Sequence, residues 1–162
     1  RVEKIDFAHR RILQQSYSRR EVEADVKRYA EFVFQKVVEV DWVAGAEDFV
    51  IQHSADHLMF IISGTPEDEL TEIVNKRNMT RHFKEIRGAP TRKPEHIRQI
   101  VDRYELHIEN CCFIGDALPD YYAANETGMP FVGIFTEVEF PEGTLVLPDC
   151  RLLQEAIESI ID

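Results

Sequence analysis

Apolar side chains recur at every third or fourth position through part of the first forty residues. The positions that define this repeat are Val22, Val26, Tyr29, Ala30, Val33 and Val37. Such spacing is typical of one face of an α-helix. Ser18 stands three residues before Glu21, which suits a capping box at a helix start. Since no Gly or Pro occurs before Gly45, the pattern predicts that residues 1–40 are entirely helical.

After about residue 41, short continuous apolar runs alternate with stretches of helical spacing. The runs that predict strands lie at 58–62, 83–87, 111–114 and 131–135. The helical stretches lie at 66–76, 94–104, 119–125 and 152–161. Strands that are apolar throughout and alternate with helices indicate a mostly parallel sheet with helices on both faces. We therefore predict an α/β fold with a Rossmann-like, doubly wound parallel sheet over residues 41–162.

Composition and charge narrow the classes of partner. The 162 residues are 44% apolar and 30% charged, which is ordinary for a globular protein. The net charge of −11 argues against nucleic acid or an anionic membrane surface, because both bind to a basic face. No apolar stretch approaches the length of about 18 residues that a membrane span needs. We expect a monomer or homodimer with no nucleic-acid or membrane partner. The negative net charge does not exclude a small anionic substrate.

The cysteines favour a reducing compartment. There are three of them, Cys111, Cys112 and Cys150, and two are adjacent on a predicted strand. An odd number with an adjacent pair does not form a disulfide framework, so we expect a cytoplasmic protein. Burial in the sheet is the favoured role of the adjacent pair, and a metal or redox site is the alternative.

Two carboxylates follow one of the apolar strands directly. Asp116 comes at the end of the run 113–115, and Asp120 follows four residues later in the next predicted helix. Two acids near a buried strand end repel each other, and a divalent cation would remove that penalty. Oxygen ligands of this kind suit Mg²⁺, which usually takes one or two protein carboxylates together with water and phosphate. The pair therefore predicts a Mg²⁺ site, with a turn Asp and a helix-capping acid as the alternative.

Two earlier loops carry groups that suit an anion. Ser63 ends the first strand and is followed by Gly64 and Thr65, where a hydroxyl and backbone amides could face a ligand. Thr65 is also the predicted N-cap of the next helix. Lys93 comes directly before the proline that begins another predicted helix. Because a cation is unfavourable at the N-terminus of a helix, we expect Lys93 to have an anionic partner. A plain turn and a solvated lysine are the alternatives. Ligands bind beyond the carboxyl ends of parallel strands, where all these loops lie.

Together these residues resemble the motifs of the haloacid dehalogenase-like hydrolases, specifically phosphoglycolate-phosphatase-like members with a helical cap. The run 60–63 that ends in Ser63 is similar to the second motif, Lys93 to the third, and Gly115-Asp116 through Asp120 to the Gly-Asp-x-x-x-Asp fourth motif. The stretch 123–134 is similar to the helix, glycine turn and last core strand of that family. The resemblance implies a partial cap over 1–40 and a core over 41–162.

The resemblance implies Mg²⁺-dependent hydrolysis of a small phosphorylated metabolite through an aspartyl-phosphate. Ser63, with the amides of Gly64 and Thr65, would bind the phosphoryl oxygens, and Lys93 would offset their charge. Asp116 would bind Mg²⁺, while Asp120 would hold Lys93 or a metal-bound water, or bind the metal itself. Other reactions of the family stay open, among them phosphomutase, dehalogenase and phosphonatase chemistry. A domain that binds a phosphorylated ligand or a protein without catalysis is the alternative of a different class.

One family motif has no match. The first motif, Asp-x-Asp-Gly after an apolar strand, carries the nucleophile and the general acid and precedes the cap. The nearest stretch is Ile5-Asp6-Phe7-Ala8, which has no second Asp two residues on, no Gly and no apolar strand before it. In the family that strand lies between the strand ending at Ser63 and the strand ending at Asp116. We expect a preceding segment of a few tens of residues to supply it, because its loss would expose two strand edges and split the core.

Overall fold

The computed structural model describes Phe7 and residues 18–161, and the chain divides into two compact units, Arg1–Val40 and Asp41–Asp162. In the first unit, helix α1 spans Arg19–Glu39. The Ser18 hydroxyl accepts a hydrogen bond from the Glu21 amide at 3.3 Å, and the Glu21 carboxylate accepts one from the Ser18 amide at 2.6 Å. The predicted capping box is therefore confirmed. Asp6 and its neighbours Ile5 and Ala8 lie outside the described residues.

Strands and helices alternate through the second unit. In chain order they are α2 (Ala46–His53), β1 (Phe60–Pro66), α3 (Glu67–Lys76), β2 (Glu85–Ala89), α4 (Lys93–Arg103), β3 (Phe113–Gly115), α5 (Leu118–Thr127), β4 (Phe131–Ile134), β5 (Val146–Leu147) and α6 (Leu153–Ile160). Short 3-10 helices lie at Thr80–His82 and Ile108–Asn110. Among the described helices, none combines the length and the apolar character that crossing a membrane requires.

The strands form two parallel sheets. Strand β1 pairs with β2 in one sheet, and the order in the other is β3-β4-β5. In the second sheet Gly115 pairs with Gly133, and Gly133 in turn with Val146. All the described strand pairs are parallel, so the predicted α/β class with a parallel, Rossmann-like arrangement is confirmed. Strands β1 and β3 are not hydrogen-bonded to each other.

An apolar cavity of about 600 Å³ lies between the two sheets. Strand β1 contributes Ile61 and Ile62 to its wall, and β3 contributes Phe113 and Ile114. Helix α4 lines it as well, together with residues of α2 and α6. We call this cavity the inter-sheet slot. It has strand residues on both sides and helix residues from several elements around it.

Each sheet packs against its own buried cluster. The first comprises Leu70, Val74 and Met79, against which Ile61 and Ile86 pack. The second comprises Val132, Ile134, Cys150, Leu153 and Ala156. In the described part of the chain the hydrophobic core is thus divided between the two sheets, with the inter-sheet slot between them.

Several boundaries and two elements differ from the sequence prediction. Helix α3 begins at Glu67 after Pro66 as N-cap, so the predicted capping role of Thr65 is wrong. Helix α2 was not predicted, because its eight residues mix acids with apolar positions. It follows Gly45, whose φ of 81° favours glycine. Strand β5 was missed because it has only two residues. The strands predicted at 58–62 and 111–114 begin two residues later, at Phe60 and Phe113.

Glu85 ties β2 to α4. Its carboxylate accepts hydrogen bonds from Arg103 of α4 and from Arg87, each at 2.6 Å. Burial of the carboxylate works against ionisation, but these hydrogen bonds prevail and keep the pKa of Glu85 below its ordinary value of 4.5. A lowered folded-state pKa means that ionised Glu85 stabilises the fold at neutral pH, and that this contribution is lost as the pH falls through that pKa.

We predict that Glu85→Gln lowers the free energy of unfolding by about 1 kcal/mol at pH 7, because two charge-assisted hydrogen bonds weaken while solvent screens the half-exposed Arg103. Urea unfolding from pH 7 to pH 3 measures this, and the difference from wild type should shrink as Glu85 becomes protonated. Glu95→Gln, which changes an exposed acid on α4, the helix that carries Arg103, is the matched control. A difference that persists unchanged at the lowest pH would contradict this role of the Glu85 charge.

Candidate active site

A bulge in β1 displaces the loop that carries Ser63. Strand pairing with β2 runs regularly to Ile62 opposite Arg87 and resumes at Pro66 opposite Ala89. Three residues, 63–65, therefore face the single residue Gly88 on β2. A side chain at Gly88 would put its Cβ only 2.5 Å from the Thr65 carbonyl oxygen, which is closer than real Cβ atoms approach. The bulge thus depends on glycine at position 88, and it takes residues 63–65 of β1 out of regular pairing with β2. We call these three residues the Ser63 loop.

Within this loop Ser63 and Thr65 bond to each other. The Ser63 hydroxyl accepts a hydrogen bond from the Thr65 amide at 3.1 Å and donates one to the Thr65 hydroxyl at 3.2 Å. Both side chains are half-buried, while Gly64 is exposed. Of the two amides predicted to face an anion, that of Thr65 is therefore already engaged by Ser63.

Lys93 forms an ion pair with Asp120. Lys93 is the first residue of α4, where the helix dipole disfavours a cation, and the carboxylate on the neighbouring helix α5 offsets that cost. The exposed fractions of the two side chains are 21% for Lys93 and 8% for Asp120, so solvent screens the pair only weakly. The second carboxylate oxygen of Asp120 accepts a hydrogen bond from the Ala117 amide at 3.2 Å. Asp120 is thereby held at both oxygens.

Gly115 makes room for this carboxylate. A Cβ built on Gly115 would lie 2.6 Å from Cγ of Asp120 and closer still to its Cβ. The last residue of β3 therefore touches the first turn of α5 without a side chain between them. This close approach fixes where the Asp120 carboxylate stands relative to the strand end.

Asp116 lies at the same strand end and is exposed. Its backbone oxygen accepts a hydrogen bond from the Thr136 hydroxyl at 3.1 Å, which ties it to the segment that follows β4. Its carboxylate forms no hydrogen bond or ion pair with any described residue. One free carboxylate fits the protein share of a Mg²⁺ site, since that ion usually keeps several waters and binds phosphate oxygens. In the described part of the chain, no cluster of three or more His, Cys, Asp or Glu could hold a metal by itself.

The predicted residues thus form two groups. Lys93 and Asp120 are brought into contact, with Asp116 at the same strand end, whereas Ser63 bonds to Thr65 within the bulge of β1. Direct hydrogen bonds or ion pairs between the two groups are absent among residues 18–161. Whether these residues bind phosphate or metal stays a prediction.

Sequence reasoning missed the residues that link the two groups. The Gly88 amide donates to the Glu67 carboxylate at 3.0 Å, and the Gly88 carbonyl accepts from His96 Nε2 at 2.9 Å. The signal was weak, because Glu67 looks like an ordinary first-turn acid and His96 is one of six scattered histidines. Only the bulge in β1, which leaves Gly88 without a strand partner, gives these side chains their role.

The prediction that the adjacent cysteines are buried in the sheet is wrong. Cys111 and Cys112 precede β3, which begins at Phe113, and both are half-buried, whereas Cys150 is buried. Burial raises the pKa of the Cys112 thiol to about 12, and burial also raises the pKa values of Cys111 and Cys150. Burial thus favours the thiol form of these side chains, whereas metal binding and redox chemistry need the thiolate. They are free of disulfides.

Comparisons with known proteins agree with this architecture. The chain is 28% identical over 114 residues to a 5'-nucleotidase from Pseudomonas aeruginosa, an alignment that covers 64% of this chain and 52% of that protein. The chain therefore spans about half the length of this curated relative.

Among solved structures, one titled a predicted phosphoglycolate phosphatase from Haemophilus somnus superposes with a TM-score of 0.81 at 13% identity, over 94% of this chain and 73% of the other. A haloacid dehalogenase superfamily hydrolase of subfamily IA from Geobacter sulfurreducens superposes with a TM-score of 0.68 at 14% identity, over 87% of this chain and 75% of the other. These similarities show a shared fold. The family model of the haloacid dehalogenase-like hydrolases matches residues 2–134, and the chain belongs to that family.

Proposed function

We propose that this chain is the larger part of a Mg²⁺-dependent phosphomonoester hydrolase that acts through an aspartyl-phosphate, with the nucleophile on a segment preceding Arg1. The observation that carries the proposal is the Lys93–Asp120 ion pair, which lies at the helix starts that follow β2 and β3. A fixed cation, with the available carboxylate of Asp116 directly after β3, suits the charge of a phosphoryl group in transfer at the carboxyl ends of parallel strands.

In the proposed reaction, a carboxylate of the preceding segment attacks phosphorus, and the bond from phosphorus to the substrate oxygen breaks. The second acid of that segment gives its proton to the departing oxygen. The same second acid, now a carboxylate, then takes a proton from water as the water oxygen attacks the aspartyl-phosphate. The bond from phosphorus to the aspartyl oxygen breaks, which releases inorganic phosphate and restores both acids to their starting forms. The residues of this chain hold the phosphoryl oxygens and offset their charge throughout.

Each residue has a separate task in this proposal. Ser63 turns its hydroxyl proton from Thr65 to a phosphoryl oxygen, and the Gly64 amide is a further donor. The Thr65 amide keeps its hydrogen bond to the Ser63 hydroxyl oxygen and so orients that hydroxyl. Lys93 supplies a fixed positive charge, and Asp120 holds the ammonium in place. Because both oxygens of Asp120 are already engaged, by Lys93 and Ala117, we assign it to positioning ahead of metal binding.

Asp116 is the residue that would hold Mg²⁺, together with a carboxylate of the preceding segment. Bound there, the ion would neutralise charge that develops on the phosphoryl oxygens. The carboxylate of Asp116 is exposed and without a described partner, so it can accept a cation without breaking another contact.

The inter-sheet slot supports the position of the missing segment. Adding one strand between β1 and β3 would require the two to stand about 10 Å apart, two strand spacings. The slot is apolar, has a volume of about 600 Å³ and is lined by residues of both strands. A strand in it would end beside Asp116, where its carboxylates would meet Lys93. Filling the slot would also join the two buried clusters into one core.

The substrate class we propose is a small phosphorylated metabolite. The names of the similar proteins, a 5'-nucleotidase and a phosphoglycolate phosphatase, suggest nucleoside monophosphates and phosphorylated acids as first candidates. We interpret residues 1–40 as part of a helical cap and 41–162 as the core. A cytoplasmic location and a monomeric or homodimeric state stay predictions.

The test is an assay of the longer polypeptide, in which an Asp-x-Asp segment precedes Arg1. Phosphoglycolate, a nucleoside 5'-monophosphate and an aryl phosphate are offered with Mg²⁺ and with a chelator. Release of phosphate that requires Mg²⁺, with a trapped phosphoenzyme, is the expected result. A sugar phosphate and a haloacid are offered in parallel. Isomerisation of the sugar phosphate would identify a phosphomutase, halide release without metal a dehalogenase, and ligand binding without turnover a non-catalytic domain.

A further inference from the structure

We infer that Glu67 and His96 are positioning residues that hold the Ser63 loop and the Lys93 loop together through the backbone of Gly88. The Lys93 loop comprises residues 89–92, which lead into Lys93. The inference rests on the proposed function for its kinetic part only. Because of the bulge in β1, Gly88 lies opposite three residues and has no strand partner of its own. Its buried amide and carbonyl must therefore find other partners, and the two side chains supply them.

The two contacts come from opposite directions. Glu67 begins α3, shortly after the Ser63 loop, and accepts from the Gly88 amide at 3.0 Å. His96 lies in the first turn of α4, three residues after Lys93, and its Nε2 contacts the Gly88 carbonyl at 2.9 Å. A carbonyl can only accept, so Nε2 carries the proton and donates. One residue of β2 thus joins the helix starts that follow both candidate loops.

Packing alone does not explain a histidine at position 96. Its side chain is buried, with an exposed fraction of 3%, and its Nδ1 is a buried atom with no hydrogen-bond partner in the described structure. An unpaired buried nitrogen destabilises a fold, and an apolar side chain of similar size would avoid that cost. What His96 adds over such a side chain is the hydrogen bond to Gly88. Holding Gly88 fixes the loop of residues 89–92, which ends at Lys93.

Paired substitutions test this inference in the longer polypeptide. Glu67→Ala and His96→Leu remove the contacts, whereas Glu67→Gln and His96→Gln keep an acceptor and a donor at the same places. Asp68→Ala, an exposed acid in the same turn as Glu67, is the control for lost charge at the helix start. The measurements are amide exchange at Gly88, Thr65 and Glu95, whose amide bonds to the Arg92 carbonyl beside Lys93, thermal stability, and separate kcat and KM values.

We expect His96→Leu to speed exchange at the distant Thr65 amide, and Glu67→Ala to speed exchange at the Glu95 amide. We also expect kcat to fall by about 10–100-fold with little change in KM, because small misplacements of catalytic groups slow turnover. The Gln variants should restore both. Exchange confined to the substituted loop, or loss that the Gln variants fail to rescue, would overturn the inference. If wild type shows no phosphatase activity, the proposed function fails, but the exchange results still decide whether the loops are locked.

Discussion

Asp116→Asn should lower Mg²⁺-dependent phosphatase turnover of the longer polypeptide by at least about 10²–10³-fold, the usual effect of losing one fixed electrostatic contact to the reacting group. Asparagine keeps the size and the backbone contact from Thr136 but removes the negative charge that would hold the cation. Since Asp116 has no other described partner for its carboxylate, the fold should be unaffected. Steady-state kinetics and Mg²⁺ titration by calorimetry measure the two consequences.

The matched control is Asp102→Asn, an exposed acid on α4. It changes the net charge equally and should leave turnover and Mg²⁺ affinity near wild type. Turnover of an aryl phosphate by Asp116→Asn at the wild-type rate would contradict the assignment of Asp116. If Mg²⁺ affinity alone stayed unchanged while turnover fell, Asp116 would act on the substrate and not through the metal.

Gly115→Ala should remove most activity by displacing the Lys93–Asp120 ion pair. The added methyl group would lie 2.6 Å from Cγ of Asp120, so the carboxylate must leave the place where Lys93 and the Ala117 amide hold it. Overpacking of this kind typically costs about 1–3 kcal/mol in stability. We expect kcat to fall by about 10²-fold, since the fixed positive charge at the site loses its support. Kinetics and chemical unfolding provide both numbers.

Gly133→Ala is the control that the structure offers for this variant. Gly133 is the direct strand partner of Gly115, but a Cβ there would meet the Phe140 ring at 3.1 Å, and a ring can shift by a few tenths of an ångström. A modest loss of stability with near-normal kcat is expected. Equal loss of activity in the two variants would mean that any methyl group in this sheet is harmful and that the Asp120 contact has no special role.

The sequence indicated which charged residues at the strand ends need a partner, but it did not indicate the contacts that support them. The Gly115-Asp116 through Asp120 pattern could be interpreted because acids after an apolar strand carry a cost that demands a partner. Lys93 at a helix start carried a similar cost, and the structure pairs it with Asp120. Both signals are local in the sequence, so a single chain is enough to find them.

The Gly88 contacts could not be predicted, because they are not local in the sequence. They depend on the register shift between Ile62 and Pro66, and nothing in the local sequence fixes how many residues of one strand face the next. Thr65 illustrates the same limit, because a good capping residue was expected to begin α3, whereas strand pairing extends to Pro66. Tertiary pairing overrode the local preference at this point.

The inter-sheet slot has a consequence for handling the chain by itself. Neither β1 nor β3 has a strand partner on the side facing the slot among the described residues, so both present backbone donors and acceptors beside apolar side chains. Such edges are templates on which another polypeptide can add a strand. The geometry that would receive a strand of the same protein therefore also exposes this chain to self-association, and its solubility at high concentration will depend on what occupies the gap.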